Sequence, residues 1–226
     1  SRGLGDVYKR QIITIDGPSA SGKGSLAKAL AKELSFILLD SGLLYRAYSY
    51  CFDHSQNHSR AAELFSNLNI KSIDHEMLIF ENEKDITSIL RHEGVAKSAS
   101  ELSSLKETRE NLINFQRDLA SDCGLVADGR DMGTVVFPDA GTKIFLVADP
   151  EVRAERRFLE LQNAGQEVNM RDLIDDIRLR DEADKDREIS PLMPADDSIE
   201  LNSSNLTPQE VLKIVLKIYK EKTKEV

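Results

Sequence analysis

The run Ile12-Ile13-Thr14-Ile15, followed by Gly17-Pro18-Ser19-Ala20-Ser21-Gly22-Lys23-Gly24-Ser25, constrains the fold more than any other stretch of the chain. Four β-branched residues in a row read as a short buried strand. Beyond the glycines, Ser25–Leu34 puts Leu26, Leu30 and Leu34 on one face with Ala27 and Ala31 beside them, which is helical spacing. A loop between a strand and a helix points successive backbone N–H groups at one place, and the helix N-terminus adds partial positive charge there. Such a loop can cradle phosphate, and Lys23 can reach the outer phosphates as a point charge. Glycine belongs in it where the backbone takes positive φ or approaches the phosphate closely. Phe36–Leu39 reads as a second strand, ending in Asp40-Ser41-Gly42, with a helix over Leu43–Phe52. A βαβ start predicts a parallel sheet with right-handed crossovers.

Between about residues 66 and 90, Ile70, Ile73, Leu78-Ile79-Phe80 and Ile86 fall in short runs separated by polar residues, which predicts small antiparallel strands inserted into the core. Leu90–Ser121 is polar with helical spacing, and Leu125-Val126-Ala127 and Lys143–Val147 read as further buried strands. Asp149-Pro150 is a helix start with Asp as cap and Pro at the first position, predicting a helix to Gly165. A charged helix follows over Asn169–Asp186, then a last strand at Ser198–Leu201 and a C-terminal helix from Thr207-Pro208. The pattern predicts one α/β domain over 11–226. Ser1–Arg10 has no initiator Met and no apolar core of a signal, and reads as foreign, adapter-like residue ahead of a truncated start.

A formal charge of −9 argues against general binding to nucleic acid or anionic membrane, while leaving room for a local basic pocket. Cys51 and Cys123 lack metal-ligand spacing and read as two buried thiols of a reducing compartment. No apolar run is long enough to cross a bilayer, so the expected location is the cytoplasm, and nothing demands more than a monomer.

In the common loop pattern G-x-x-x-x-G-K-[ST], the hydroxyl after the lysine binds Mg²⁺. Here Gly24 holds that position and the hydroxyl comes one residue late, at Ser25. The form G-K-G-[ST] resembles the nucleoside monophosphate kinases. Leu39-Asp40-Ser41-Gly42 with Tyr45-Arg46, Ala127-Asp128-Gly129-Arg130-Asp131-Met132-Gly133-Thr134, and Arg180-Asp181 through Arg187 sharpen the likeness to the bacterial cytidylate kinases, over essentially Ile12 to the C-terminus. The resemblance implies a P-loop NTPase-type three-layer fold with a central parallel five-stranded sheet. It implies ATP as donor, CMP and dCMP as acceptors, and a place in pyrimidine nucleotide metabolism. It further implies Mg²⁺ held by phosphates and water, with Ser25 a nearby or weak ligand. Residues 66–98 would be an inserted acceptor-binding subdomain, and 153–187 a helical lid.

Phosphoryl transfer brings two anions together and so needs cations. Arg46 and Arg130 follow strand ends, where parallel sheets place ligands, and the resemblance makes both binders of the acceptor phosphate. Cytosine presents an amino donor where uracil presents a carbonyl, so a carboxylate facing that edge accepts from one and repels the other. Asp131 is the candidate, with Ser41 at the same end. Ser100 and Arg109 read on their own as ordinary helix-surface residues, and the resemblance assigns them to the base. Asp128 ends an apolar strand and either orients Mg²⁺-bound water or caps the Gly129 turn. None of the four histidines is assigned, and they read as surface residues.

Along the charged helices, Arg153, Arg171 and Arg178 read as solvated partners of nearby carboxylates. Arg157, Arg180 and Arg187 read as cations of a movable flap over ATP. The resemblance places Arg180, Asp184 and Arg187 beside the acceptor's sugar and phosphate, with Asp184 on ribose hydroxyls. Ala183 and Lys185 stand where family members often carry arginine, which puts phosphate contacts there in doubt. The rivals are another small-molecule P-loop kinase, acting on UMP or a different monophosphate, and a module that binds ATP without turnover. A sensor has no need of the acceptor-side arginines.

Overall fold

The computed structural model describes residues 11–120, 124–163, 165 and 167–224, so Ser1–Arg10 and Cys123 lie outside the described residues. The chain begins β1 (Ile12–Asp16), α1 (Lys23–Leu34), β2 (Ile37–Asp40), α2 (Ser41–Ser55) and α3 (His58–Ser66). The insertion follows as β3 (Asn69–Ile73), β4 (Glu76–Glu81) and β5 (Lys84–Asp85), then α4 (Thr87–Leu90), α5 (Glu93–Leu102) and α6 (Lys106–Asp118). The second half holds β6 (Leu125–Gly129), a single π-helical turn at Met132–Val136, β7 (Thr142–Val147), α7 (Pro150–Asn163), α8 (Met170–Lys185), β8 (Ile199–Asn202) and α9 (Pro208–Lys224).

Five parallel strands form the central sheet in the order β2-β6-β1-β7-β8, with β1 in the middle. Alternation along the strands decides what each face buries. Ile13, Ile15, Leu38, Val126, Ile144 and Leu146 pack with Leu26 and Leu30 of α1 and Val211 and Val215 of α9. Leu39, Leu125 and Ala127 share the other cluster with Leu43 and Leu44 of α2 and Leu112 of α6. Helices therefore cover both faces, and the strands read as near-continuous apolar runs for that reason. The small antiparallel sheet β3-β4-β5 is present as expected, and its Met77 and Ile79 join the second cluster.

Three elements differ from expectation. α2 starts at Ser41 with no intervening turn, because Asp40 caps it: its Oδ1 accepts the Leu43 N–H at 2.9 Å. The helical stretch expected over 90–121 breaks at 103–105. There the Ser103 and Ser104 hydroxyls donate to Ser100 O (2.8 Å) and Glu101 O (2.7 Å), offering the backbone an alternative to the helix ladder. The π-helical turn has no periodic signal, and it arises from contacts with β1. All of this gathers the ends of β1, β2 and β6, namely Asp16, Asp40 and Asp128, on one edge of the sheet beside the glycine loop.

Candidate active site

The glycine loop is fixed by close approaches. Gly17 has φ 146°, and a Cβ there would stand 2.1 Å from Leu146 O, so glycine alone fits. Gly22, at φ 96°, leads into α1. Two of the loop's carbonyls are held by α7: Arg153 Nη1 donates to Ser19 O at 3.2 Å and Arg156 Nη1 to Ser21 O at 3.1 Å. Lys23 is buried, and its Nζ donates to Pro18 O at 2.8 Å. Burial, then the charge of Arg130, pulls the Lys23 ammonium well below the usual lysine range. Asp128 faces it. Burial raises this carboxyl above the usual range against the pull of Lys23. A Cβ added to Gly24 would lie 3.4 Å from Asp128 Oδ2, so the position that carries the hydroxyl in the common loop is pressed against a carboxylate here.

Behind the loop, the buried carboxylate of Asp16 accepts the N–H groups of Met132 (2.8 Å) and Gly133 (2.7 Å). Burial pushes its carboxyl up to about 7 even though both bonds favour the ionised form. The contact is tight: a Cβ on Gly133 would come within 2.9 Å of Thr14 Oγ1. Asp16 thus winds the π-helical turn and sets the segment carrying Arg130 and Asp131.

Across the cleft, Asp184 is 1% exposed and gathers arginines. Arg130 Nε donates to its Oδ2 at 2.8 Å, and Arg187 Nη2 pairs with its Oδ1. Burial pushes the Asp184 carboxyl up, but Arg130, Arg187 and Arg180 outweigh this and hold it below the usual range. Arg180 has no such partner at its Nε, which is buried without a hydrogen bond. Burial and the charge of Arg130 bring its guanidinium down to about 10. Further along, Arg109 pairs with buried Asp131, donates from Nη1 to Ser103 O at 3.0 Å, and lies 5.7 Å from the centre of the Tyr45 ring. One cavity of about 880 Å³ takes in the loop, the Asp184 cluster and the Arg109–Asp131 pair. An amide cradle and a cation cluster opening into one space can bring two phosphates together, which is the requirement of phosphoryl transfer.

The family model for cytidylate kinase matches residues 13–221 of the chain. The chain belongs to the cytidylate kinase family. The cytidylate kinase of Caldicellulosiruptor saccharolyticus is 42% identical over 217 residues, covering 93% of this chain and 96% of the relative. That of Pseudomonas putida W619 is 45% identical over 210 residues (89% and 92%), and that of Mannheimia succiniciproducens 41% over 224 (96% and 100%).

Within this cytidylate kinase fold, the residues singled out in the sequence largely converge. Ser41, Arg46, Ser100, Arg157, Arg180 and Arg187 all border the cavity. Ser41 Oγ donates to Gln116 Oε1 at 2.9 Å, and Arg46 Nη1 donates to Leu90 O at 3.2 Å. Burial lowers the Arg46 guanidinium. Arg157 reaches from α7 to Glu93 of α5 and to Glu160 at 2.7 Å. Each oxygen of Asp184 accepts from one arginine and keeps a second lone pair for a further donor.

Several readings are corrected. Arg153 is not a solvated partner of neighbouring carboxylates: it is 3% exposed and binds Ala148 O, Ser19 O and Asp181. Arg178 does pair on the exposed surface, with Glu151 at 3.0 Å. His58 and His75 are half-buried rather than surface residues: His58 Nδ1 lies 3.1 Å from Tyr48 Oη and His75 Nδ1 lies 3.2 Å from Phe36 O. Cys51 is buried, its thiol pushed up to about 12. Sequence reasoning missed Asp16 and Arg156. An acidic residue closing an apolar strand was a usable signal for the first. For Arg156 the sequence offers none apart from its neighbours' helical phase.

Among the described residues, no three His, Cys, Asp or Glu side chains gather as a metal-ligand set. Oxygen donors that line the cavity beside the loop include the exposed hydroxyl of Ser25 and the carboxylates of Asp128 and Asp40, neighbours at the ends of β6 and β2. Hard oxygen donors so few in number suit Mg²⁺ carried in on phosphates and water. No helix of the described residues is long and apolar enough to cross a membrane.

Proposed function

We propose that this cytidylate kinase family member transfers the γ-phosphoryl group of ATP to CMP, and to dCMP, forming the diphosphate. Family membership supports the reaction. The observation that carries the site assignment is the opening of the glycine loop with Lys23, and of the Arg130–Asp184–Arg187 cluster, into one cavity.

The loop from Gly17 to Ser25 would hold the donor phosphates through its amides, and Lys23 would exchange Pro18 O for a phosphate oxygen, which favours its charged form. Arg157, on α7, would close over the donor side with the lid region 153–187, excluding water. Arg46, Arg130, Arg180 and Arg187 would neutralise the acceptor phosphate and the charge spread over the transferred group. Arg180 has a buried N–H free to do so. The acceptor phosphate is already anionic near neutral pH, so no general base is needed. Asp131, whose carboxyl burial raises against the pull of Arg109, would accept from the cytosine amino group, with Ser100, Ser41 and Arg109 around the base and Asp184 toward the ribose. Residues 66–98 would enlarge this acceptor side. Mg²⁺, bound with the phosphates near Ser25 and Asp128, would supply further charge neutralisation there.

ADP release measured with ATP and Mg²⁺ against CMP, dCMP, UMP, AMP and GMP in parallel tests this reading. Turnover confined to the two cytidine acceptors is expected. Equal turnover of UMP would overturn the role of Asp131, and no turnover would overturn the reaction.

A further inference from the structure

The two arginines that hold carbonyls of the loop have a geometry that the reaction above does not use. A trans peptide is planar, so its C=O and the N–H of the next residue point in opposite directions. Arg153 fixes Ser19 O at 3.2 Å on the outside of the loop, which turns the Ala20 N–H to the inside. Arg156, which borders the same cavity, holds Ser21 O at 3.1 Å, so the Gly22 N–H points away from that guanidinium. The two arginines are three residues apart on one helix face. The backbone they hold is not relaxed: Ala20 has φ 58°, a left-handed conformation that non-glycine residues adopt at a cost and keep only when surroundings enforce it.

The hold on each arginine is itself rigid. Arg156 donates from Nη1 to Ser203 Oγ (3.0 Å) and from Nη2 to Ser203 O (2.7 Å), and Ser203 Oγ donates to Ser21 O at 3.1 Å. Arg153 donates to Ala148 O at 2.9 Å and makes a fork to Asp181, with bonds of 3.0 and 2.5 Å. Asp181 lies on α8 between Arg180 and Asp184, so one buried guanidinium touches both the donor loop and the helix of the acceptor side.

We propose that Arg153 and Arg156 are positioning residues of the donor loop, aiming the Ala20 and Gly22 N–H groups at the donor phosphate, and that Arg153 extends this hold to α8 through Asp181. The proposal rests on the ATP-dependent reading above. It predicts a split between the two arginines. Arg156 touches only the donor side, whereas Arg153 touches both.

Arg156→Lys keeps the charge but cannot serve Ser21 O, Ser203 O and Ser203 Oγ with a planar fork. The KM for ATP should rise about tenfold, the size expected for loss of one charge-assisted hydrogen bond, while the KM for CMP stays within about twofold. Calorimetric titration with ADP alone should show the same weakening at an unchanged melting temperature. Arg153→Lys should raise both KM values. Equal effects of Arg156→Lys on the two substrates, or none on either, would overturn the proposal, and Arg156→Lys decides it even if Arg153→Lys fails to fold. If the unmodified protein turned over no CMP, the reaction itself would be wrong. Normal turnover with an unchanged ATP response in Arg156→Lys would sink only the loop assignment.

Discussion

On the proposed assignment, the donor loop is made of backbone and the acceptor side of side chains, and the two answer an arriving anion differently. In the loop, the Ser19 and Ser21 carbonyls are tied to α7, and the loop's one cation, Lys23, has to change partner from Pro18 O. On the acceptor side the cations already neutralise one another's carboxylates: Arg130 and Arg187 on Asp184, Arg109 on Asp131. A backbone cradle recognises any phosphate of the right spacing. A set of paired charges can be opened only by a ligand that replaces what it displaces, and selectivity therefore belongs on that side.

The largest effect should come from removing the loop's own cation. Lys23→Ala should lower kcat about a thousandfold, in line with losing a charge stabiliser at the reacting group. The melting temperature should barely move, since burial already makes that ammonium unfavourable. Near-normal turnover of the variant would remove Lys23 from the chemistry. Next in size is the acceptor side's selectivity. Asp131→Asn turns an acceptor edge into one that also donates. The ratio of kcat/KM for CMP over UMP should fall about a hundredfold, with the KM for ATP unchanged. A ratio that holds would move base reading to other residues.

The smallest effect concerns the aspartate between the two halves. The Asp16 carboxyl stands near 7 when folded against an ordinary 3.8, so between those values the folded state holds more protons than the unfolded one. Its contribution to stability is therefore full at low pH, declines as pH rises through this window, and levels off above it. Asp16→Asn cannot titrate. Its melting temperature relative to the unmodified protein should rise steadily from about pH 4 to pH 7, above whatever constant offset the lost acceptor brings. A difference independent of pH would show that Asp16 does not bind its proton more tightly in the fold.

The same contrast explains what the sequence disclosed. The loop and the apolar strands β1, β6 and β7 are local patterns, legible because glycine, β-branched runs and helical spacing act over a few residues. Arg130 and Asp131 were legible in a motif, and the resemblance named Asp184 and Arg109, but not that these four form ion pairs. Asp184 and Arg109 come from segments far along the chain, and only packing joins them. Arg153 was misread because an arginine in a charged helix looks solvated. Yet it lies next to Ala154 and in helical phase with Leu161, both buried, and that stripe was the available clue. The break of the helical stretch at 103–105 turned on two serine hydroxyls, whose choice between solvent and backbone no periodicity reveals.

The crowding of Arg130, Arg180 and Arg187 around one aspartate also governs how a substrate arrives. A chain of formal charge −9 repels a nucleotide at long range. A concave, cation-rich mouth in such a body gathers field lines, so an approaching anion is turned away elsewhere and funnelled to this opening. Encounter then becomes the step most exposed to the medium: added salt slows capture within a Debye length of the mouth, while transfer inside the closed cleft proceeds at its own pace.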